Sequence, residues 1–267
     1  MRFRDGYQGS SFTDLLDQQF PGLRPFVNVP PLAGAVAAPS GALSVPHGTT
    51  VLGLKIRAGV IVAGDRLATE GYRVASRDIQ KVFATDGHSL MAIAGAAGPA
   101  IEMAKVMRVE LEHYEKIEGE PLELEGKANK LSQMIRQNLP AAMQGLVVVP
   151  IFAGYDARRM VGRVWKFDVT GGRYEETEFE TTGSGGLYAK ESLKKAWLPD
   201  LPRDDGMRIA LQALMDAADE DRGTGGVDPI RGIFPNIFVC EASGIEEVPA
   251  SRVEELYREL VAARARR

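Results

Sequence analysis

The sequence is poor in the residues that build disulfides and metal sites. Among 267 residues there is one cysteine, Cys240, and there are three histidines. A single cysteine excludes an internal disulfide and is typical of a protein in a reducing compartment. The cysteine and the histidines show no HExxH or CxxC-type spacing, so we expect neither a metal ion nor another cofactor. The histidines are His47, His88 and His113.

Charge and hydropathy argue against two further classes of partner. The net charge is −4 and the isoelectric point about 5.6, so we expect no nucleic-acid partner. No stretch approaches the roughly 20 consecutive apolar residues of a membrane helix. The apolar segment 31–45 lies too far into the chain for a signal peptide, follows no basic stretch and contains Pro31 and Pro39. We therefore expect a cytoplasmic protein with no membrane partner.

Residues 1–48 differ in composition from the rest of the chain. A short amphipathic stretch at 10–20 is followed by repeated prolines among glycine, alanine and serine. Such a composition forms no packed core by itself. We interpret this segment as a flexible leader or linker that precedes the folded domain.

Strand patterns begin directly after the leader. Residues 50–56 and 60–65 are separated by a short turn and predict a β-hairpin. Residues 79–84 and 89–95, separated by an Asp-Gly turn, predict a second hairpin. Both hairpins require antiparallel pairing, so the domain begins with antiparallel sheet.

The remaining elements predict the fold class. Two helical patterns at 99–117 and 124–143 follow the hairpins, and Pro140 is expected to kink or interrupt the second. The order of strands and helix pairs predicts an α+β fold of four αββα layers, in which two antiparallel sheets are flanked by helices. The other predicted elements are strands at 145–156, 160–169, 173–180 and 236–241, and helices at 186–197, 204–220 and about 253–261.

The first hairpin brings a carboxylate next to Thr49. With the turn centred near residue 57, residue 50 faces residue 65, which places Asp65 beside Thr49 at the open end. Aspartate is disfavoured within strands. Asp65 is therefore either a turn residue that ends its strand or a polar group placed beside the Thr49 hydroxyl.

Lys81 is the second charged residue in an apolar pattern. Strand alternation puts it on the same face as Ile79 and Phe83. It is either an edge lysine whose ammonium reaches water, or a buried ammonium that needs a carboxylate such as Asp65. In the second case the ammonium would favour deprotonation of the Thr49 hydroxyl.

The sequence offers no side-chain base for a nucleophile at this position. No histidine has a natural position for a triad, and no GxSxG motif occurs. Cleavage between Gly48 and Thr49 would supply one, because a free α-amine has a pKa of roughly 7.7 to 8.0 and can accept the hydroxyl proton. The N–H of Gly95, at the predicted end of a strand, could stabilise an oxyanion.

Six motifs together resemble the proteasome β-subunit family of N-terminal-nucleophile hydrolases, from residue 49 to about 245. The leader, the "PHGTT" junction and "ELEHYEKIEGEPL" look like the actinobacterial members in particular. The resemblance implies the N-terminal-nucleophile hydrolase fold. The six motifs are "GTT" (48–50), "AGDR" (63–66), "IQKVF" (79–83), "AIAGAA" (92–97), "TTGSGG" (181–186) and "DRGTGG" (221–226).

The resemblance also implies roles for individual residues. Thr49 would be the nucleophile and, through its α-amine, the base, supported by the Asp65–Lys81 pair. Gly95 would supply the oxyanion hole. Residues implied to orient the amine and a nearby water are Ser184, Asp221 and Thr224, the last at a position where the family often has serine. Residues implied to bind substrate are Thr69, Gly95 and Ala97 through the backbone, and Ala68, Ile79, Phe83, Ile93, Ala97 and Ala100 around a largely apolar S1 pocket.

At the level of function, the resemblance implies a threonine endopeptidase that self-cleaves between Gly48 and Thr49. Residues 1–48 would be a propeptide and 49–267 the catalytic domain. The subunit would work in a 28-subunit barrel of two β rings capped by α rings, served by a ring ATPase that acts through the α rings. Its substrates would be unfolded polypeptides, marked with the small modifier Pup in actinobacterial relatives. The alternatives are a structural ring subunit without activity and a stand-alone amidase that acts on small amides.

Overall fold

A computed structural model describes residues 48–70 and 73–265. The predicted amphipathic stretch 10–20 lies outside the described residues, as does the leader up to residue 47. Within the described part of the chain, no helix is long and apolar enough to cross a membrane. The elements, in chain order, are β1 (Thr50–Ile56), β2 (Gly59–Gly64), β3 (Ala68–Glu70), β4 (Arg73–Ser76), β5 (Val82–Ala84), β6 (Ser89–Ala92), α1 (Ala97–Glu118), α2 (Leu124–Gln137), α3 (Leu139–Ala142), β7 (Ile151–Asp156), β8 (Val161–Phe167), β9 (Arg173–Glu176), β10 (Phe179–Gly183), α4 (Gly186–Ala196), α5 (Arg203–Glu220), β11 (Asn236–Glu241), β12 (Gly244–Glu247) and α6 (Ala250–Arg264).

In the part of the chain that the structure describes, the strands form two five-stranded antiparallel sheets and one small hairpin. The first sheet has the order β10-β1-β2-β11-β12, and the second has the order β5-β6-β7-β8-β9. Among the described residues, strands β3 and β4 pair only with each other. In both large sheets every neighbouring pair is antiparallel.

Alternation along β1 and β2 explains how the layers stack. Val51 and Val62 point into a core that also contains Leu90 and Ile151 of the second sheet, so the two sheets pack face to face. Leu52, from the opposite face of β1, belongs to a core shared with α4, α5 and α6. A third core joins the second sheet to α1 and α2. The predicted α+β sandwich of four αββα layers is confirmed.

Several element boundaries differ from the prediction for identifiable reasons. The helix predicted at 124–143 ends at Gln137 and is followed by the short α3, because Pro140 cannot donate a backbone hydrogen bond within a continuous helix. The strand predicted at 89–95 ends at Ala92, and Gly95 forms an isolated bridge to Val148. The strand predicted from residue 145 begins at Ile151.

Two short paired regions were not predicted. The hairpin of β3 and β4 is largely exposed on β4, so it carries no apolar alternation for a pattern to reveal. Strand β12 pairs with β11 at the edge of the first sheet and is equally short. The predicted register of the first hairpin is confirmed, since Val51 pairs with Gly64 and the Asp65 N–H donates to the Thr50 carbonyl at 3.1 Å.

Candidate active site

Thr49 lies immediately before β1 and is buried, with 7% of its surface exposed. Its nitrogen is the peptide nitrogen of the Gly48–Thr49 bond, and its N–H donates to Ser184 Oγ at 3.2 Å. The Thr49 hydroxyl donates to the Gly48 carbonyl oxygen at 2.6 Å. The hydroxyl is therefore in contact with the carbonyl group that its attack would have to reach.

Asp65 and Lys81 form a buried ion pair beside this threonine. The Lys81 ammonium donates to Asp65 Oδ1 and to the Leu67 carbonyl, each at 2.6 Å. Of the two arrangements that the sequence left open for Lys81, the structure has the buried, paired one. Burial lowers the pKa of Lys81 below its ordinary value, and attraction to the Asp65 carboxylate opposes that shift.

The Asp65 carboxylate accepts three backbone hydrogen bonds in addition to the one from Lys81. Oδ1 accepts from the Thr50 N–H at 2.7 Å. Oδ2 accepts from the N–H groups of Leu67 at 3.0 Å and Gly225 at 2.8 Å. Four donors on two oxygens satisfy a buried carboxylate, which would otherwise be costly to bury. Asp65 therefore links β1, β2 and the loop after α5 through hydrogen bonds to its single carboxylate.

A second carboxylate, that of Asp221, is connected to the Thr49 nitrogen through Ser184. Asp221 Oδ2 accepts the hydroxyl hydrogens of Ser184 at 2.5 Å and Thr224 at 2.6 Å. Asp221 Oδ1 accepts from the Gly223 N–H at 3.1 Å. Because Ser184 gives its hydrogen to the carboxylate, its oxygen is free to accept from the Thr49 nitrogen. The three residues implied to orient the amine thus form one hydrogen-bonded cluster, and Ser184 is the member that contacts the Thr49 nitrogen.

Close backbone approach explains two of the glycines. A Cβ at Gly48 would overlap the backbone of Gly223, and a Cβ at Gly223 would lie 2.7 Å from the Gly48 Cα. Real Cβ atoms do not approach other atoms so closely. The glycine-rich loop at 221–226 therefore packs directly against the peptide bond before Thr49.

Gly95 has the backbone geometry that leaves its N–H available. Its φ is +104°, a conformation that favours glycine, and a Cβ there would overlap the carbonyl of Val147. The bridge to the segment before β7 uses the Ala96 N–H and the Ala94 carbonyl as hydrogen-bonding groups. The Gly95 N–H is therefore outside that bridge, and Gly95 lines the cavity beside Thr49.

Most of the residues implied to bind substrate surround this cavity, which holds about 20 Å³. Such a volume accommodates about one water molecule. Phe83 is not among the lining residues; it packs against the core that joins the second sheet to α1 and α2. The lining comprises Gly48, Thr49, Ala68, Thr69, Ile79, Lys81, Ile93, Ala94, Gly95, Ala97 and Ala100.

Three groups at the site were not identified from the sequence. The Leu67 carbonyl accepts from Lys81, and the Thr69 hydroxyl accepts from the Gly48 N–H at 2.9 Å. The Thr50 hydroxyl contacts Thr224 and the Gly185 N–H. Two adjacent threonines at the start of an apolar strand were the available signal for Thr50. Backbone carbonyls carry no such signal.

Comparison with known proteins gives a consistent result. A family model described as "Proteasome subunit" matches residues 45–230. A "Proteasome subunit beta" of Acidimicrobium ferrooxidans is 55% identical over 216 residues, which cover 81% of this chain and 79% of the relative. One of Nocardia farcinica is 48% identical over 272 residues, covering 99% of this chain and 94% of the relative. One of Streptomyces griseus is 48% identical over 256 residues, covering 96% and 89%.

Proposed function

The chain belongs to the proteasome subunit family, with β subunits as its relatives, and on this premise we propose that it is a threonine endopeptidase that activates itself. Residues 1–48 are the propeptide, and residues 49–267 form the mature catalytic subunit. The observation that carries the proposal is the 2.6 Å contact between the Thr49 hydroxyl and the carbonyl oxygen of Gly48.

Self-cleavage uses groups already in contact with the Gly48–Thr49 peptide bond. Thr49 Oγ adds to the Gly48 carbonyl carbon, its proton passes to the Thr49 nitrogen, and the C–N bond breaks to leave an ester between Gly48 and Thr49 Oγ. The C–N cleavage frees the Thr49 amine, and water then hydrolyses the ester, which releases the carboxylate of Gly48 and restores the Thr49 hydroxyl. The Thr69 hydroxyl supports this step by holding the Gly48 N–H at 2.9 Å.

Substrate cleavage repeats this chemistry with the new amine as the base. The Thr49 amine accepts the Oγ proton while Oγ attacks a peptide carbonyl, and the Gly95 N–H stabilises the oxyanion. The amine proton goes to the leaving amine, an acyl ester remains on Thr49, and water hydrolyses it. The Lys81 ammonium stabilises negative charge near Oγ, and Ser184 with Asp221 holds the amine.

The proposed setting follows the family. The subunit assembles with other β subunits and with α subunits in a 28-subunit barrel in the cytoplasm. A ring ATPase feeds unfolded polypeptides, marked with Pup, through the α rings. No metal or other cofactor takes part in this reaction scheme.

The deciding experiment is the intact mass of the chain, expressed with and without an α subunit, together with peptide turnover by the assembled particle. A mass that begins at Thr49 and turnover that disappears in Thr49→Ala are expected. A full-length chain in assembled particles would favour a structural ring subunit. Turnover of small amides by an isolated protomer would favour the stand-alone amidase.

A further inference from the structure

We propose that Thr50, the residue after the nucleophile, is a positioning residue whose hydroxyl fixes the geometry around the Thr49 nitrogen. The inference rests on the proposed function, because it assigns a role within the same site. Thr50 is the first residue of β1 and is fully buried. Its backbone contacts one of the two carboxylates at the site, and its side chain is linked to the other.

The backbone contact is independent of the side chain. The Thr50 N–H donates to Asp65 Oδ1, the same oxygen that accepts from the Lys81 ammonium. Any residue except proline can make this contact at position 50. Substitutions of Thr50 therefore test the hydroxyl while leaving the Asp65 contact in place.

The hydroxyl belongs to a hydrogen-bond chain whose direction is determined by Asp221. An ionised carboxylate only accepts, so the Thr224 hydroxyl hydrogen goes to Asp221 Oδ2 at 2.6 Å. The Thr224 oxygen must then accept the Thr50 hydroxyl hydrogen, at an oxygen–oxygen distance of 2.6 Å. The Thr50 oxygen in turn accepts from the Gly185 N–H at 3.0 Å. Each hydroxyl thus donates once and accepts once.

This chain ends on the carboxylate that orients the Thr49 nitrogen. Asp221 Oδ2 also accepts from Ser184, and Ser184 Oγ is the acceptor for the Thr49 N–H. Anchoring Thr224 through Thr50 therefore limits movement of Asp221 and, through it, of Ser184. In the mature subunit the Thr49 nitrogen is the base, so its misplacement would slow the chemical step and leave substrate binding intact.

The backbone at Gly185 packs closely against the Thr50 hydroxyl. A Cβ at Gly185 would lie 2.5 Å from Thr50 Oγ1, so a glycine is required for the loop to close over it. Valine at position 50 would match threonine in shape but would leave the Gly185 N–H and the Thr224 oxygen without this buried partner. The cost of such unsatisfied groups is well above that of a lost surface hydrogen bond.

The test compares Thr50→Val, Thr50→Ser and a matched control in particles assembled with α subunits. Thr50→Val should lower kcat on a fluorogenic peptide about tenfold or more, as expected for a lost buried hydrogen bond, with KM unchanged. Thr50→Ser, which keeps the hydroxyl, should restore kcat. The control is Thr85→Val, because Thr85 is also buried and its hydroxyl donates to the Ser89 carbonyl, a hydrogen bond that involves neither Asp65 nor Asp221. It should keep kcat.

The outcomes separate this inference from the proposed function. The role of Thr50 would be overturned if Thr50→Val had the wild-type kcat or changed KM alone. It would also be overturned if Thr50→Ser failed to restore kcat. The proposed function is tested separately by Thr49→Ala in the same assay. If this variant is inactive, the proposed function stands even where the role of Thr50 is overturned. If it is active, the proposed function fails. If Thr50→Val does not assemble, Thr50→Ala replaces it in the test, because it removes the same hydroxyl. The proposal then requires the same fall in kcat from Thr50→Ala.

Discussion

Lys81 and Asp65 form an ion pair with an Nζ–Oδ1 distance of 2.6 Å, and their side chains are 4% and 0% exposed. A buried pair of this kind is stable only when its remaining polar atoms are also bonded. The Leu67 carbonyl and three backbone N–H groups meet that condition. The pair thus contributes both to the stability of the strand ends and to the chemistry proposed at Thr49.

Lys81→Met should damage both stability and activity. Removing one partner leaves an uncompensated buried carboxylate, and such changes cost about 3–5 kcal/mol. Peptide turnover should fall by about 10²-fold or more, since proton transfer at Thr49 loses its electrostatic support. Urea denaturation of the subunit and turnover by assembled particles measure the two effects.

A double variant separates the two effects. Asp65→Asn together with Lys81→Met removes both charges, so it should recover part of the lost stability and none of the turnover. Recovery of turnover would contradict the proposed role of Lys81. Lys116→Met provides the control for loss of a lysine, because Lys116 is exposed on α1 and pairs only with Glu112 in the described residues.

The lowered pKa of Lys81 predicts a pH dependence with a definite sign. Its pKa in the folded protein lies below the ordinary 10.5, so between the two values the folded state binds fewer protons than the unfolded state. The contribution of Lys81 to stability therefore rises with pH through that window and is lost as pH falls through the folded pKa. Turnover should fall over the same rise in pH, because the ammonium is neutralised.

Methionine has no titratable group, so comparing wild type with Lys81→Met isolates the contribution of Lys81 to the pH dependence of stability. The difference in free energy of unfolding between wild type and Lys81→Met should increase with pH towards 10.5, the ordinary lysine pKa. Other groups that titrate in the same range cancel in the difference. A difference that stays constant or decreases would show that the pKa of Lys81 is not lowered in the folded protein.

Local sequence rules predicted those parts of the site that depend on local geometry. The turn near residue 57 determines the hairpin register, and this was enough to place Asp65 opposite Thr50, whose N–H donates to its carboxylate. Strand alternation could not show whether Lys81 is buried or exposed. Lys81 lies just before β5, and that strand is only three residues long. The burial of Lys81 depends on Leu67 and Asp65, which come from a different part of the chain.

Contacts between distant loops were beyond the reach of sequence patterns. Thr50 and Thr224 are separated by 174 positions, and only the folded sheets and α5 bring their hydroxyls together. The same limit applies to Phe83, which was implied to line the S1 pocket and packs against the α1–α2 core. The layers themselves were predictable, because they follow from alternation and helix periodicity within single elements.

Cys240 should be inert to alkylation in the folded protein. It is fully buried between the sheets, its thiol donates to the His88 carbonyl, and burial raises its pKa to about 12. At pH 8 the thiolate fraction is then on the order of 10⁻⁴, and only the thiolate reacts. Labelling with iodoacetamide should be at least about 100-fold slower than in denaturant. Because the chain has one cysteine, mass spectrometry reports this site alone.

Gly48→Ala and Gly223→Ala should both prevent or strongly slow the proposed cleavage between Gly48 and Thr49. In each case the new Cβ overlaps the backbone of the other glycine, which would push the Gly48 carbonyl away from the Thr49 hydroxyl. The matched control is Gly87→Ala, since a Cβ at Gly87 meets nothing within 4 Å. Intact mass after assembly measures the processed fraction, which should be high for wild type and the control and low for the other two variants. Normal processing of both would mean that cleavage does not require the close contact between the two glycines.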